Sequence, residues 1–180
     1  MENSNNDLKK YLSYLWGIVR LNNETIKSVS FDKKATILGF FYIFLYAAFF
    51  YFYLLKIWNP YLDMIVKDLN LPENKILFFL SAEIVFDFVF LLLIHFVASG
   101  KSQQKDFWVL FRPVSQANIL GLISPLFLRI WKLLLSYKAL RLNYDLKPGQ
   151  SILSIFWAFI LLFLLLSLAN SIVLSVTLPY

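Results

Sequence analysis

From Ser151 to Tyr180 the chain runs for 30 residues without a charged side chain. At ~1.5 Å per residue a helix of that length exceeds the ~30 Å hydrocarbon layer of a bilayer, so Ile152 to Leu178 is read as a membrane span. Two earlier runs have the same character. Ala35 to Trp58 holds 24 residues with Lys56 as its one charge, and Ile76 to Ser99 is apolar apart from Glu83, Asp87 and His95. Only 16% of the 180 residues are charged, 59% are hydrophobic and 19% aromatic, with a mean hydropathy of +0.65. Ordinary soluble domains carry ~25% charged residues, so the composition excludes a disordered chain and argues against an ordinary soluble domain.

The formal net charge is +6, from 17 basic and 11 acidic residues. A nucleic-acid partner would need a basic face on a folded surface, whereas here the basic residues precede or flank the apolar runs. That is where a membrane protein places its cytoplasmic ends. The chain has no cysteine and a single histidine, His95, which excludes disulfides, thiol catalysis and the Cys- and His-pair metal motifs. No metal and no cofactor is expected.

Residues 1–34 are polar and carry Lys9, Lys10, Arg20, Lys27, Lys33 and Lys34. No short apolar core followed by a small-residue cleavage site opens the chain, so no cleaved leader is expected. Leu8 to Leu21 places Leu8, Tyr11, Leu12, Leu15, Trp16, Ile18 and Val19 toward one side of a helix, with Lys9, Lys10, Ser13, Gly17 and Arg20 toward the other. An interfacial amphipathic helix over 8–21 follows, touching the membrane surface through Lys9, Lys10, Trp16 and Arg20. Asn23-Glu24-Thr25 matches a glycosylation sequon, read as accidental because the segment is expected on the cytoplasmic side.

Phe107 to Tyr137 is 31 residues long, interrupted by Pro113, Gly121 and Pro125 and carrying Arg112, Arg129 and Lys132. With one crossing here, eight basic residues lie inside and six outside; with two crossings the balance becomes eleven against three. The excess of basic residues on the cytoplasmic side of membranes favours two, a hairpin of short helices turning at Gly121 to Pro125. The fold class is therefore all-α: five membrane helices at about 35–58, 76–99, 107–121, 124–138 and 152–178, preceded by the interfacial helix.

This order of features resembles the Yip1 domain family of small multi-spanning membrane proteins. The resemblance is carried by the basic lead-in, the Gly100-Lys101 to Phe107 loop, the Pro-containing short third span and, most specifically, Trp131 to Ser151, WKLLLSYKALRLNYDLKPGQS. Ala139 stands where the family usually has Gly, and Tyr144 where it usually has His. The Asp-Leu-Tyr-Gly-Pro type motif of eukaryotic trafficking members is absent, which argues against a Rab-GTPase partner. For prokaryotic members the resemblance implies a cytoplasmic N-terminus, five spans and no assigned reaction. The bias of 13 Lys to 4 Arg, with abundant Asn and Ile, points to an AT-rich genome and a prokaryotic plasma membrane.

Glu83 and Asp87 are four residues apart and share one helix face, with His95 near the same stripe. Each ionised acid in a membrane helix costs about 2.5–3.5 kcal/mol on the insertion scale, so these must be paired, protonated or wetted. Arg129 and Lys132 are the candidate partners. One reading makes Asp87 and Arg129 a buried pair that docks two helices. The other makes Glu83, Asp87, His95, Arg129 and Lys132 a polar pathway for a proton or ion, or a site for a charged small molecule or lipid headgroup. Metalloprotease, nucleophile-elbow and phosphate-loop motifs are absent, and Glu83 and His95 lie ~18 Å apart along a helix, so no enzyme is expected. The expected function is non-catalytic membrane organisation or scaffolding, with a small transporter or channel-like protein as the alternative. Expected partners are the lipid bilayer and either other membrane proteins or further copies of the chain.

Overall fold

A computed structural model describes residues 2–50 and 75–177. All regular structure in them is helical: α1 Glu2–Val19, α2 Asn23–Phe31, α3 Lys34–Phe50, α4 Lys75–Ser99, α5 Trp108–Gln116, a 3-10 segment Ala117–Leu122, α6 Pro125–Asn143 and α7 Pro148–Thr177. Residues 51–58 of the expected first span lie outside the described residues.

Helix α2 is not expected from the sequence, where its start reads as a glycosylation motif. Its N-cap is Asn22, whose Oδ1 accepts from the Thr25 N–H at 2.9 Å, and Ile26, Val29 and Ser30 form its buried side. Leu21 takes a left-handed φ of 53°, which turns the chain back between α1 and α2. The turn is tight. A Cβ on Gly17 would come within 2.2 Å of the Thr25 hydroxyl, so only glycine admits α2 at this distance. The burial of Gly17 corrects the expected division of α1. Gly17 and Ile18 face α2, while Leu12 and Trp16, placed with the apolar side by the sequence, are exposed alongside Lys9, Ser13 and Arg20.

Helices α2 and α3 meet at a bend of 103°. Asp32 makes the corner, accepting the Lys34 N–H on Oδ1 at 3.0 Å. Along α3 the buried positions Ala35, Gly39, Tyr42, Ile43, Tyr46 and Ala47 repeat every three or four residues, and Ile37, Phe40, Phe41, Phe44 and Phe49 point outward. The aromatic run is thus divided between core and outer surface.

Helix α5 sits at the centre, buried at every position from Val109 to Gln116, with α1, α2, α4 and α6 packed around it. Pro113 removes one interior backbone donor, and after Gln116 the chain tightens into the 3-10 segment. Near the end of that segment Gly121 meets the Tyr46 ring, 2.2 Å from where its Cβ would stand. Ser124 caps α6, its Oγ accepting the Phe127 N–H at 3.3 Å, and Pro125 occupies the first turn. The chain therefore reverses at Ile123 and Ser124, and α6 runs back along α5.

Helices α4 and α7 pack against each other. Ser151, Ser154, Ala158 and Leu162 form the buried stripe of α7, and its small residues let the backbones approach as membrane helices do. Ser81–Ser99 within α4 and Pro148–Ala169 within α7 are long and apolar enough to cross a membrane, and the bent pair of α2 and α3 would supply a third span. Helix α6 carries Arg129, Lys132, Lys138 and Arg141, so its passage through lipid depends on what neutralises them.

Candidate functional site

Four charges come together between α4 and α6. On α4, Glu83 and Asp87 are one turn apart; on α6, Arg129 and Lys132 are three residues apart, and each spacing places its pair on one face. Arg129 donates from Nη2 to Oε1 of Glu83 and from Nη1 to Oδ1 of Asp87, the latter at 3.2 Å. Lys132 donates from Nζ to Oδ2 of Asp87. Asp87 is thus bonded on both oxygens, to two cations. The expected Asp87–Arg129 pair is one arm of a net-neutral network of two acids and two bases.

Burial is uneven across this network. The side chains of Asp87 and Lys132 are 5% and 9% exposed, that of Glu83 14%, and that of Arg129 39%. Tyr46 lies beside it, its ring centroid 5.8 Å from the Lys132 ammonium, and its buried hydroxyl has no hydrogen-bond partner among the described residues. The Arg129 guanidinium also stands over the Phe86 ring at 5.4 Å. Asp87, Arg129 and Lys132 floor a cleft of about 340 Å³ whose walls are Phe86, Phe90, Leu133 and Phe159.

His95 is not part of this cluster. It lies two turns further along α4, and its Nδ1 is hydrogen-bonded to the Tyr144 hydroxyl at 2.6 Å. Ser102 completes the arrangement by donating to the Tyr144 carbonyl at 2.6 Å, so the C-terminal end of α6 is tied both to α4 and to the loop after it. Tyr144 is buried, and burial pushes its hydroxyl well above the ordinary phenol range. Among the described residues no three His, Asp or Glu side chains converge to hold a metal ion.

A second buried cation escapes sequence reasoning. Arg112 on α5 is 6% exposed and donates from Nε to the Thr36 hydroxyl at 2.8 Å and from Nη1 to the Ser30 carbonyl at 2.6 Å. Ser30 in turn receives the Asn143 amide on its hydroxyl at 2.8 Å, which joins α2, α3, α5 and α6 at one point. The signal in the sequence is a lone Arg within a short apolar helix, but its partners are 76 and 82 residues away.

The expected membrane-surface residues lie on α1 and the turn that follows it. Lys9, Trp16 and Arg20 are exposed, with the Arg20 guanidinium 4.4 Å from the Trp16 ring. Lys10 is exposed as well and reaches Oδ2 of Asp32 at 2.6 Å. That ion pair holds the Lys10 ammonium above its usual range. Burial alone would raise the Asp32 carboxyl, but Lys10 and the Lys34 N–H outweigh it and hold the group below its usual value. Comparison with protein-family models, curated proteins and solved structures finds no match to this chain.

Proposed function

We propose that the chain is a multi-pass membrane protein of the Yip1-like kind, with five membrane helices and a cytoplasmic N-terminus. It would work without catalysis, organising a membrane or scaffolding protein partners. The observation that carries this reading is the closed network of Glu83, Asp87, Arg129 and Lys132, in which each charge is met by an opposite one on the facing helix. Such pairing meets the demand of lipid by locking helices, which suits a rigid platform better than a moving carrier. It also lets α6, with its four basic residues, serve as a membrane helix beside α5. The exposed Lys9, Trp16 and Arg20 suit contact with headgroups, the indole at the interface and the cations toward phosphate. A prokaryotic plasma membrane fits the Lys-over-Arg bias of the composition.

One observation favours the alternative of a small transporter or channel-like protein. Arg129, together with a Tyr46 hydroxyl that has no partner among the described residues, gives the network a polar side that its own bonds do not use up.

Two measurements test these readings. The Cys-free chain accepts single cysteines at Lys101, Ile123 and Lys147, all exposed and none an N-cap with a capping side chain. With an impermeant thiol reagent on intact cells, five spans predict labelling at Ile123 alone, and labelling at Lys147 without Lys101 would leave four spans and remove the resemblance. Reconstituted vesicles then separate platform from carrier. A proton or ion flux that Asp87→Asn abolishes without unfolding the protein would establish transport.

A further inference from the structure

The network is neutral as a whole, yet it presents one member outward. Asp87 uses both carboxylate oxygens within it and Lys132 is nearly covered, so what the cleft offers an occupant is the guanidinium of Arg129. A guanidinium carries five N–H donors, and among the described residues Arg129 commits one from Nη1 and one from Nη2. Arg129, its side chain 39% exposed, lines a space walled by Phe86, Phe90, Leu133 and Phe159. Phe90 and Phe159 meet with centroids 4.6 Å apart, and Phe86 lies nearly parallel to Phe90 at 6.4 Å, so two of the three helices around the cleft contribute flat aromatic faces.

Depth narrows the chemistry further. Asp87 is twelve residues from each end of α4, ~18 Å either way, which puts the cleft at the middle of that helix. A free carboxylate or phosphate brought there would lose its hydration and find the nearby cations already neutralised by Glu83 and Asp87. An uncharged acceptor avoids that penalty and still satisfies the spare N–H groups. The site therefore asks for a lipid-soluble molecule with carbonyl acceptors, no net charge and a flat ring. Its volume of about 340 Å³ lies within the range of small-ligand pockets.

We propose that this cleft binds an uncharged carbonyl lipophile of the quinone class, entering from the bilayer between α4, α6 and α7. Its carbonyl oxygen accepts from Arg129, its ring lies against Phe86, Phe90 and Phe159, and its tail extends into lipid. The inference rests on α4 and α7 being membrane helices; it is independent of the scaffold role.

The test is photolabelling of the full chain in lipid nanodiscs with an azido-benzoquinone bearing a decyl tail, followed by peptide mapping. The expected result is saturable labelling confined to peptides containing Phe86, Phe90, Leu133 or Phe159, displaced by excess decyl-benzoquinone and not by decanoate. Phe159→Trp fills the cleft from an exposed position and should weaken labelling about tenfold. Arg129→Lys keeps the charge opposite Glu83 but removes the planar fork, and should weaken it comparably. Folding of each variant is checked by its thermal transition, and if Arg129→Lys does not fold, Phe159→Trp decides. Labelling spread evenly over the lipid-facing helices, displacement by decanoate as strong as by the quinone, or labelling unchanged in Phe159→Trp would each overturn the proposal.

Discussion

Nη1 of Arg112 donates to the carbonyl of Ser30 at 2.6 Å, and Ser30 lies in the last turn of α2, where a helix leaves its carbonyls without partners. One side chain from α5 thereby closes α2, and its Nε bond to Thr36 holds α3 beyond the 103° bend. Arg112→Leu should remove two charge-assisted bonds and lower stability by about 3 kcal/mol. Equilibrium unfolding in mixed micelles reads this, and a loss below about 0.5 kcal/mol would mean the corner is held by packing alone.

Asp87 accepts from both Arg129 and Lys132, so removing its charge leaves the buried Lys132 ammonium uncompensated. Asp87→Asn should cost about 3–5 kcal/mol, and Asp87→Asn with Lys132→Met should recover most of it, because the pair is then removed together. Folded yield and thermal stability of the two variants in detergent decide the matter. An equally unstable double variant would show that Lys132 contributes through something other than Asp87.

Gly39 faces Ser115 across the α3–α5 contact, where an added Cβ would meet the Ser115 Oγ at 2.1 Å. Gly39→Ala should therefore destabilise by about 1–3 kcal/mol through overpacking, read from thermal unfolding in detergent. Ser115→Ala in the same chain removes that atom and leaves the Ser115 Cβ at 3.0 Å, so much of the loss should return. Gly149, with no atom within 4 Å of where its Cβ would stand, is the control at which Ala should be harmless.

The contact between Lys10 and Asp32 docks the middle of α1 on the α2–α3 corner. Asp32 is held below its usual 3.8, so its contribution is present above that pH and disappears as pH falls through the lower folded value. Lys10 is held above 10.5, so its share is present below that pH and fades as pH rises beyond it. A fluorophore on Ser13→Cys should thus show constant anisotropy near neutrality and a fall on acidification below pH 3.8. Asp32→Asn should show the lower anisotropy already at neutral pH, and an acid response unchanged in that variant would assign the release to another group.

Much of this architecture is legible in one dimension. The uncharged run after Ser151 and the apolar run before Gly100 correspond to the long helices α7 and α4, because solvent preference needs no partner to be read. The interruption at Gly121 to Pro125 coincides with the break between the 3-10 segment and α6, since Pro125 suits a first helical turn and Gly121 the close approach of Tyr46. Helix α2 is not legible in this way, although Asn22 is a good cap and Ile26 and Val29 have helical spacing. Nine residues among polar neighbours make too weak a pattern without the core they pack on.

The sequence by itself determined the apolar character of the long helices, the charges set among their apolar residues and the grouping of those charges by helix face, because hydropathy and the 3.6-residue period are local properties. Only the tertiary structure decided the pairings. It gave Asp87 two cations and Glu83 one, left Arg129 lining an apolar cleft, drew His95 away to Tyr144 and enclosed Arg112 among α2, α3 and α5. The contacts of Asp87 join it to residues 42 and 45 positions away, and which ones form depends on how α4 and α6 are rotated about their own axes. That rotation is set by the packing of Tyr46, Gly121, Leu128 and the small-residue stripe of α7, a property of the assembled bundle rather than of any one segment.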